Sequence, residues 1–514
     1  MFRRFFSNQF RSLGPKAASM MLVFFALASY VMGFVRDLVI AYYFGAESVT
    51  DAYYSAFMIP DAIYTITAAG VLGGVFMPML SKIKKESHQS YLDYLSAFLF
   101  FNTLFTGVLA VLAYFGMPFF MDLMLAKADA SVRIQAVELS RLLLWSPILF
   151  SVANTLSSFL MSNKHYFSYS LGPVLYNVGI ILSLLLFADS LGIVSAIYGV
   201  IFGLLMMVFV RLWDFRSLNL SLRFRPWHTA IPESLKLALY KILSILSVQV
   251  SLMVFNFVAY GLQQGSLSAF SYAKNLQSFA ISLFGIAISQ AVFPYLIDHK
   301  VDENMYEMNE MIRKTFLKIL YFVWPSCVGM YLISGDLVPF LFERGEFDSA
   351  ASAMTSAVLM VLALSIPFEA INHLFSRVYY AFLDTLRPVL ISLLFLSSNV
   401  IMALFLAPKI GVSGFGYGYL LGSFMQMIAL LYFFKSFGLA RRFVFGADSL
   451  RILSSGFVMG ICVFAVSGMG LVMQLFVGVL VYWGVSIYLN VFQFSDLNDS
   501  FKKIVGKVSR SVLK

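Results

Sequence analysis

Fourteen runs of about 20 or more predominantly apolar residues follow one another along the 514-residue chain, and they decide what it can fold into. A hydrocarbon core about 30 Å thick is crossed by about 20 residues of helix, because each residue rises about 1.5 Å. The runs lie near 17 to 44, 52 to 80, 92 to 121, 134 to 161, 166 to 188, 191 to 212, 235 to 261, 267 to 297, 312 to 333, 350 to 382, 388 to 407, 412 to 434, 450 to 470 and 472 to 493. A spanning barrel strand would alternate with period two, whereas stretches such as Val108 to Ala113 and Leu475 to Val481 are apolar on every side. The expected fold class is therefore all-α, a polytopic integral membrane protein of 14 transmembrane helices. Composition agrees: charged residues make up 12% of the chain, against about 25% in soluble domains.

The first run follows Arg3, Arg4 and Arg11 as a signal peptide would. Its uncharged length from Ala17 to Val35 exceeds a signal core, and no small-residue cleavage pattern follows, so a retained helix is expected. An even number of spans places both termini on one side. With the N-terminus cytoplasmic, the termini, the even-numbered loops and the helix ends beside them hold 28 of the 36 basic residues, and the opposite loops hold 4: Lys127, Arg133, Arg344 and Lys409. That asymmetry is the positive-inside pattern. It also accounts for the net charge of +10 without a nucleic-acid partner. Cys327 and Cys462, the two cysteines, sit inside apolar runs, which excludes a disulfide framework or a cysteine metal site.

The chain repeats itself. Gly192, Tyr198, Gly199 and Gly203 recur as Gly411, Tyr417, Gly418 and Gly422 at a constant offset of 219. Phe44-Gly45 is answered by Tyr260-Gly261, Pro78 by Pro294 and Pro147 by Pro367. Several matches in one order indicate an internal duplication. The implied organisation is an N-terminal lobe over 1–214, a basic cytoplasmic linker over 215–234, a C-terminal lobe over 235–436, two appended spans over 450–494 and a basic tail over 495–514. Six helices per repeat give both lobes the same membrane orientation, an arrangement used for alternating access.

No phosphate-cradling Gly-rich loop is present, and Gly506-Lys507 lacks the partner residues such a loop needs. No stretch outside the spans exceeds about 25 residues, and the histidines show no metal-ligand spacing. No enzyme, catalytic residue, cofactor or metal is therefore expected. The informative residues are the ionisable groups within spans, since each costs at least about 2.5 kcal/mol at the bilayer centre and faces a partner or a cavity. Arg36 and Asp37 interrupt the first span, and two readings fit them: ion pairing with each other or another helix, or a cavity-facing pair that binds an anionic substrate. Asp51 is placed to cap a helix at the outer surface, and Asp61 follows Pro60 where the second span opens. Lys274 has no acidic neighbour one turn away, which leaves it as an anion ligand or as a partner for Asp61 or Asp51. Glu369, His373 and Arg377 follow at four-residue intervals on one helical face, as a self-satisfied ladder or as substrate contacts. Glu138 and Arg141 read as a structural pair.

The segment Gly33-Phe-Val-Arg-Asp-Leu-Val-Ile-Ala-Tyr-Tyr-Phe-Gly-Ala-Glu-Ser-Val-Thr-Asp-Ala-Tyr-Tyr-Ser-Ala-Phe-Met-Ile-Pro60 resembles the MurJ/MviN family of lipid II flippases. Further similarities are Val75-Phe-Met-Pro78, Leu341-Phe-Glu-Arg-Gly-Glu-Phe347 and Arg377-Val-Tyr-Tyr-Ala-Phe-Leu-Asp-Thr385. The resemblance implies the multidrug/oligosaccharidyl-lipid/polysaccharide exporter superfamily, and a flippase for lipid II or another lipid-linked oligosaccharide, with a non-transporting envelope scaffold as the reading from another class. It implies a bacterial inner-membrane protein, monomeric, whose partners are a lipid-linked cell-wall precursor, membrane lipids and the cell-wall synthesis machinery. Arg36, Lys274 and Asn275 are then the substrate-binding candidates. Asp37, Asp51, Asp61, Glu369, His373 and Arg377 are the gating or ion-pair candidates, and the last two spans form a groove for the lipid tail. Tyr30 and Tyr64 stand where the family has arginines, and Lys274-Asn275 where it has Asp-Arg.

Overall fold

The computed structural model describes residues 15–67, 76–218, 224–234, 253–440, 444 and 446–491, and among them there is no β-strand. The first half comprises α1 (Pro15–Phe44), α2 (Ser48–Ala56), α3 (Met58–Tyr64), α4 (Met77–Glu86), α5 (His88–Met124), α6 (Ala130–Leu143), α7 (Trp145–Ser162), α8 (Phe167–Leu191) and α9 (Val194–Ser217). In the second half α10 (Ser266–Ala280) passes through a π-helical turn, Ile281–Ile286, into α11 (Ala287–Val301). Then come α12 (Met305–Phe342), α13 (Ser349–Ala363), α14 (Ile366–Ala381), α15 (Leu386–Phe405), the single turn α16 (Ala407–Ile410), α17 (Ser413–Phe433), α18 (Ala447–Ala465) and α19 (Leu471–Tyr488).

Among the described residues 11 helices are long and apolar enough to cross a membrane, or 12 if the bent pair α13 and α14 is one span. The chain is thus an all-α, multi-pass membrane protein, as its hydropathy requires. Two of the fourteen expected spans, 52 to 80 and 235 to 261, run into residues 68–75 and 235–252, which lie outside the described residues, as does the basic tail. The longest helix, α12, has 38 residues and extends about 57 Å at 1.5 Å per residue. That is nearly twice the hydrocarbon thickness, so its polar first turns, carrying Glu307, Glu310, Arg313 and Lys314, project beyond the apolar layer.

The described residues form two compact units, one running to Ser271 and including Arg344–Ala351, the other made of Tyr272–Glu343 and everything from Ser352 onward. Within each unit the repeated residues do the same structural work. Gly192 and Gly411 both end a helix in the left-handed region, at φ +56° and +70°, where an L side chain is strained. Gly199 and Gly203 let α9 lie against α8: an added Cβ would sit 2.6 Å from Ile180 Cα and 2.6 Å from the Tyr176 carbonyl oxygen, respectively. Gly418 and Gly422 bring α17 nearly as close to α15, an added Cβ falling 3.0 Å from Asn399 Cα and 2.9 Å from the Phe395 carbonyl oxygen. Lipid supplies no hydrophobic drive between helices, so such close approach, which maximises dispersion contact, is what holds the pairs together. The prolines repeat as well. α6 and α7 part at Leu144 just before Pro147, while α13 and α14 part at Leu364 and Ser365 just before Pro367 with a bend of 46°. Gly45 is left-handed as well, at φ +58°, whereas Gly261 is not among the positive-φ glycines and Gly265, four residues on, is, at φ +80°.

Candidate functional site

Each charge buried in a span has an identifiable surrounding. Arg36 on α1 donates from Nε (3.0 Å) and Nη2 (2.8 Å) to Asp37 Oδ1, and from Nη1 to Asn177 Oδ1 on α8 (3.2 Å). Asn177 is oriented by its own amide nitrogen, which donates to the carbonyls of Pro173 (3.0 Å) and Ser29 (3.3 Å), so its oxygen faces the guanidinium. Asp37 is buried, and Arg36 keeps about a fifth of its side chain exposed, 21%. The pairing reading of these two residues is realised, and Arg36 retains an accessible edge.

Asp51 is buried and caps a helix, but not its own. Its Oδ1 accepts from Ser268 N (2.8 Å) and Ser268 Oγ (2.7 Å), and its Oδ2 accepts from Gly265 N (2.9 Å). A carboxylate here satisfies orphan amides at the start of α10 and meets the positive end of that helix dipole. The close packing of Gly265 against the Ala46 carbonyl brings the two segments together. Sequence spacing placed Asp51 at the outer surface; the fold buries it, with backbone amides rather than a cation as its partner. Asp61 is exposed inside α3, one turn beyond the break at Phe57; the second span is thus interrupted before Pro60 and not at Asp61, where it was expected to open. Arg141, expected to pair with Glu138, donates instead to the Tyr114 carbonyl at 3.2 Å and lies 4.6 Å from the centre of that ring.

Lys274 is the clearest correction. It pairs with neither Asp61 nor Asp51 but with Glu369 of α14, Nζ to Oε2 at 3.1 Å, and it also donates to Gln277 Oε1 at 2.7 Å. Gln277 Nε2 and Ser365 Oγ each donate to Glu369 Oε1 at 2.7 Å, so both carboxylate oxygens are engaged. The ring of Tyr419 lies 4.1 Å from the ammonium. Lys274 and Glu369 remain 22% and 16% exposed. Asn275, the next residue, is exposed on the adjacent face of α10. The ladder Glu369, His373, Arg377 is not self-satisfied: Glu369 is taken by Lys274, and Arg377 lies over the rings of Phe293 (5.4 Å) and Tyr380 (5.9 Å). All three do line one cavity of about 410 Å³ between α14, α15 and α17.

Sequence reasoning did not anticipate Asn177, Gln277 or Ser365, which are neutral and give no charge signal. Arg211 is one of the 28 basic residues counted in cytoplasmic loops and the helix ends beside them. The structure buries Arg211 to 2% exposure against Gly172 and Met207, with no partner for Nε or Nη1 among the described residues. A second feature is wholly apolar: a groove of about 310 Å³ between α12 and α18, lined by Trp324, Cys327, Tyr331, Phe457, Gly460 and Phe464. α18 and α19 are anchored beside it by Trp324 Nε1 donating to the Leu453 carbonyl (3.1 Å) and Tyr482 OH to the Tyr321 carbonyl (2.6 Å).

Repeated units of broken and close-packed helices, with held charges inside the spans, define a polytopic helical membrane protein built like a transporter. The same fold appears in a solved inward-facing multidrug resistance MATE family transporter of the MOP superfamily, with a TM-score of 0.65 at 14% identity over 82% of this chain and 98% of that one. The family model for lipid II flippase MurJ matches residues 40–496, and the chain belongs to that family. A probable lipid II flippase MurJ of Aquifex aeolicus is 29% identical over 71% of this chain and 72% of its own length. A solved lipid II flippase MurJ in an inward closed conformation superposes with a TM-score of 0.79 at 24% identity, covering 91% of this chain and 99% of that one.

Proposed function

We propose that this protein is a flippase that carries lipid II, a polyprenyl-diphosphate-linked peptidoglycan precursor, from the cytoplasmic to the outer leaflet by alternating access. The observation that carries the reading is the family match over residues 40–496 on a multi-pass helical fold. We assign the inner membrane and cytoplasmic termini on the 28 to 4 distribution of basic residues. Arg36, Lys274 and Asn275 are the residues we assign to the diphosphate. Both cations already hold a carboxylate, Asp37 and Glu369, at 2.8 Å and 3.1 Å. A diphosphate that replaces those carboxylates exchanges one anion for another and never leaves a buried cation unpaired. Asp51, clamped on α10, and Asp61, exposed beside the break in the second span, are the gating residues in this scheme. The apolar groove beside α18 suits the lipid tail. We assign the drive to the membrane potential: moving two negative charges out of a negative interior releases about 4.6 kcal/mol at 100 mV, at about 2.3 per charge.

Complementation tests the reading. A bacterial host is depleted of its own lipid II flippase, this chain is supplied, and labelled lipid II reaching the outer leaflet is measured. Rescue is expected, and Arg36→Ala and Lys274→Ala should each abolish it. Correct insertion without rescue removes the lipid II assignment. Tyr30 and Tyr64, at family arginine positions, then direct the search to a less anionic lipid-linked oligosaccharide.

A further inference from the structure

Beyond Glu369, the cavity between α14, α15 and α17 is lined by polar groups that the flipping scheme does not use. Polar groups recur around its wall: Glu369, His373 and Arg377 along α14, Ser376 beside them, Ser392 on α15 and Gln426 on α17. At about 410 Å³ it falls within the range of small-molecule sites, about 300–1,000 Å³. The electrostatics are one-sided. Glu369 is already neutralised by Lys274, with both oxygens engaged. Arg377 has no ion pair among the described residues, only the faces of Phe293 and Tyr380. Ring faces hold a guanidinium in place while leaving its N–H edge free to donate. His373 is exposed toward the same space and donates from one ring nitrogen in either tautomer. Gln426 accepts from Asn372 Nδ2 at 3.3 Å through its oxygen, which leaves its amide nitrogen as a further donor.

Depth identifies the class of anion. Arg377 stands four residues before the end of α14 at Ala381, or about 6 Å from it along the helix. Beyond that end lie the exposed Leu383 and the surface pair Arg387 with Asp384 at 3.2 Å. Arg377 therefore stands near the end of its helix, where a span meets the head groups, while the Lys274–Glu369 pair lies eight residues and about 12 Å farther from that end at Glu369. Beside the cavity, α15 exposes Val389, Leu390, Leu393 and Leu394, an apolar face suited to acyl chains. We propose that this cavity is a binding site for the phosphate of an anionic membrane lipid, gripped by Arg377 with His373 and Ser376 donating. The inference goes beyond lipid II transport and does not depend on it.

The test uses the full-length protein purified in a zwitterionic detergent and titrated separately with dihexanoyl phosphatidylglycerol, dihexanoyl phosphatidylcholine, glycerol 3-phosphate and inorganic phosphate, with tryptophan fluorescence as readout. Saturable binding of the phosphatidylglycerol is expected, with affinity at least tenfold weaker in Arg377→Ala and several-fold weaker in Arg377→Lys and in Ser376→Ala. Saturation by glycerol 3-phosphate or inorganic phosphate with equal affinity and the same Arg377 dependence would overturn the lipid source in favour of a soluble phosphate. Equal binding of phosphatidylcholine would overturn the requirement for an anion. Unchanged phosphatidylglycerol affinity in an Arg377→Lys or Ser376→Ala protein that elutes as wild type in size exclusion would overturn the site itself. Loss of flippase rescue alone, with lipid binding intact, bears only on the transport reading.

Discussion

Glu369→Gln removes the charge that holds Lys274 while keeping the shape of the side chain, and its effect can be worked from the geometry. At 3.1 Å and an effective dielectric of about 20, the Coulomb attraction is about 5 kcal/mol. Desolvation of two largely buried ions cancels much of it. Their 22% and 16% exposure also lets water take up part of the loss when one partner goes, so a coupling of about 2 kcal/mol is expected rather than the 3–5 typical of a fully buried pair. Gln277 and Ser365 can still donate to the amide oxygen that replaces the carboxylate, which further limits the loss. For a unit of this size about 2 kcal/mol corresponds to a Tm lower by about 4–8 °C. The assay is a double-mutant cycle on the purified protein at fixed detergent and scan rate, with Glu369→Gln, Lys274→Met and the double variant. The double variant should be less destabilised than the sum of the singles. Additivity within about 0.5 kcal/mol would refute the pairing. The same Glu369→Gln protein should bind a soluble diphosphate lipid analogue more tightly than wild type, because Lys274 no longer has a carboxylate to surrender.

Asp51→Ala strands three donors at the start of α10 and should cost about 3 kcal/mol, Asp51→Asn about half as much. Hydrogen exchange at the Gly265 and Ser268 amides should accelerate most in the alanine variant and less in the asparagine variant, and unchanged protection would refute the capping role. Gly203→Ala puts a methyl group against the Tyr176 backbone and should lower Tm and insertion yield, whereas Gly329→Ala meets nothing within 4 Å and should be neutral or stabilising by up to about 1 kcal/mol. Gly460→Phe fills the apolar groove beside α18 and should reduce rescue of flippase-depleted cells without loss of membrane-inserted protein.

The sequence was sufficient for the all-α class, most of the spans and the repeat. Inside a bilayer every backbone N–H and C=O must be satisfied within its own segment, so an apolar run of sufficient length has one structural outcome. Glycine and proline carried the repeat because their roles are backbone roles: Gly192 and Gly411 adopt the same left-handed turn, and Pro147 and Pro367 follow the same break. The list of functional charges was also legible, since an ionisable residue in an apolar run is conspicuous.

Partners were not. Helical periodicity places Glu369, His373 and Arg377 on one face, and they do line one cavity, but it says nothing about which helix that face meets. Lys274 and Glu369 are 95 residues apart, Arg36 and Asn177 are 141 apart, and Asp51 and Ser268 are 217 apart. Of these partners Asn177 and Ser268 are neutral side chains with no hydropathy signature. Burial of Arg211 was hidden for a related reason, because a basic residue near a helix end looks alike whether it reaches water or turns inward. By itself, then, the sequence determined what crosses the membrane and which residues cost energy there. Only the tertiary structure decided how that cost is met, because desolvation is a property of one residue whereas its compensation requires two, brought together by packing between helices.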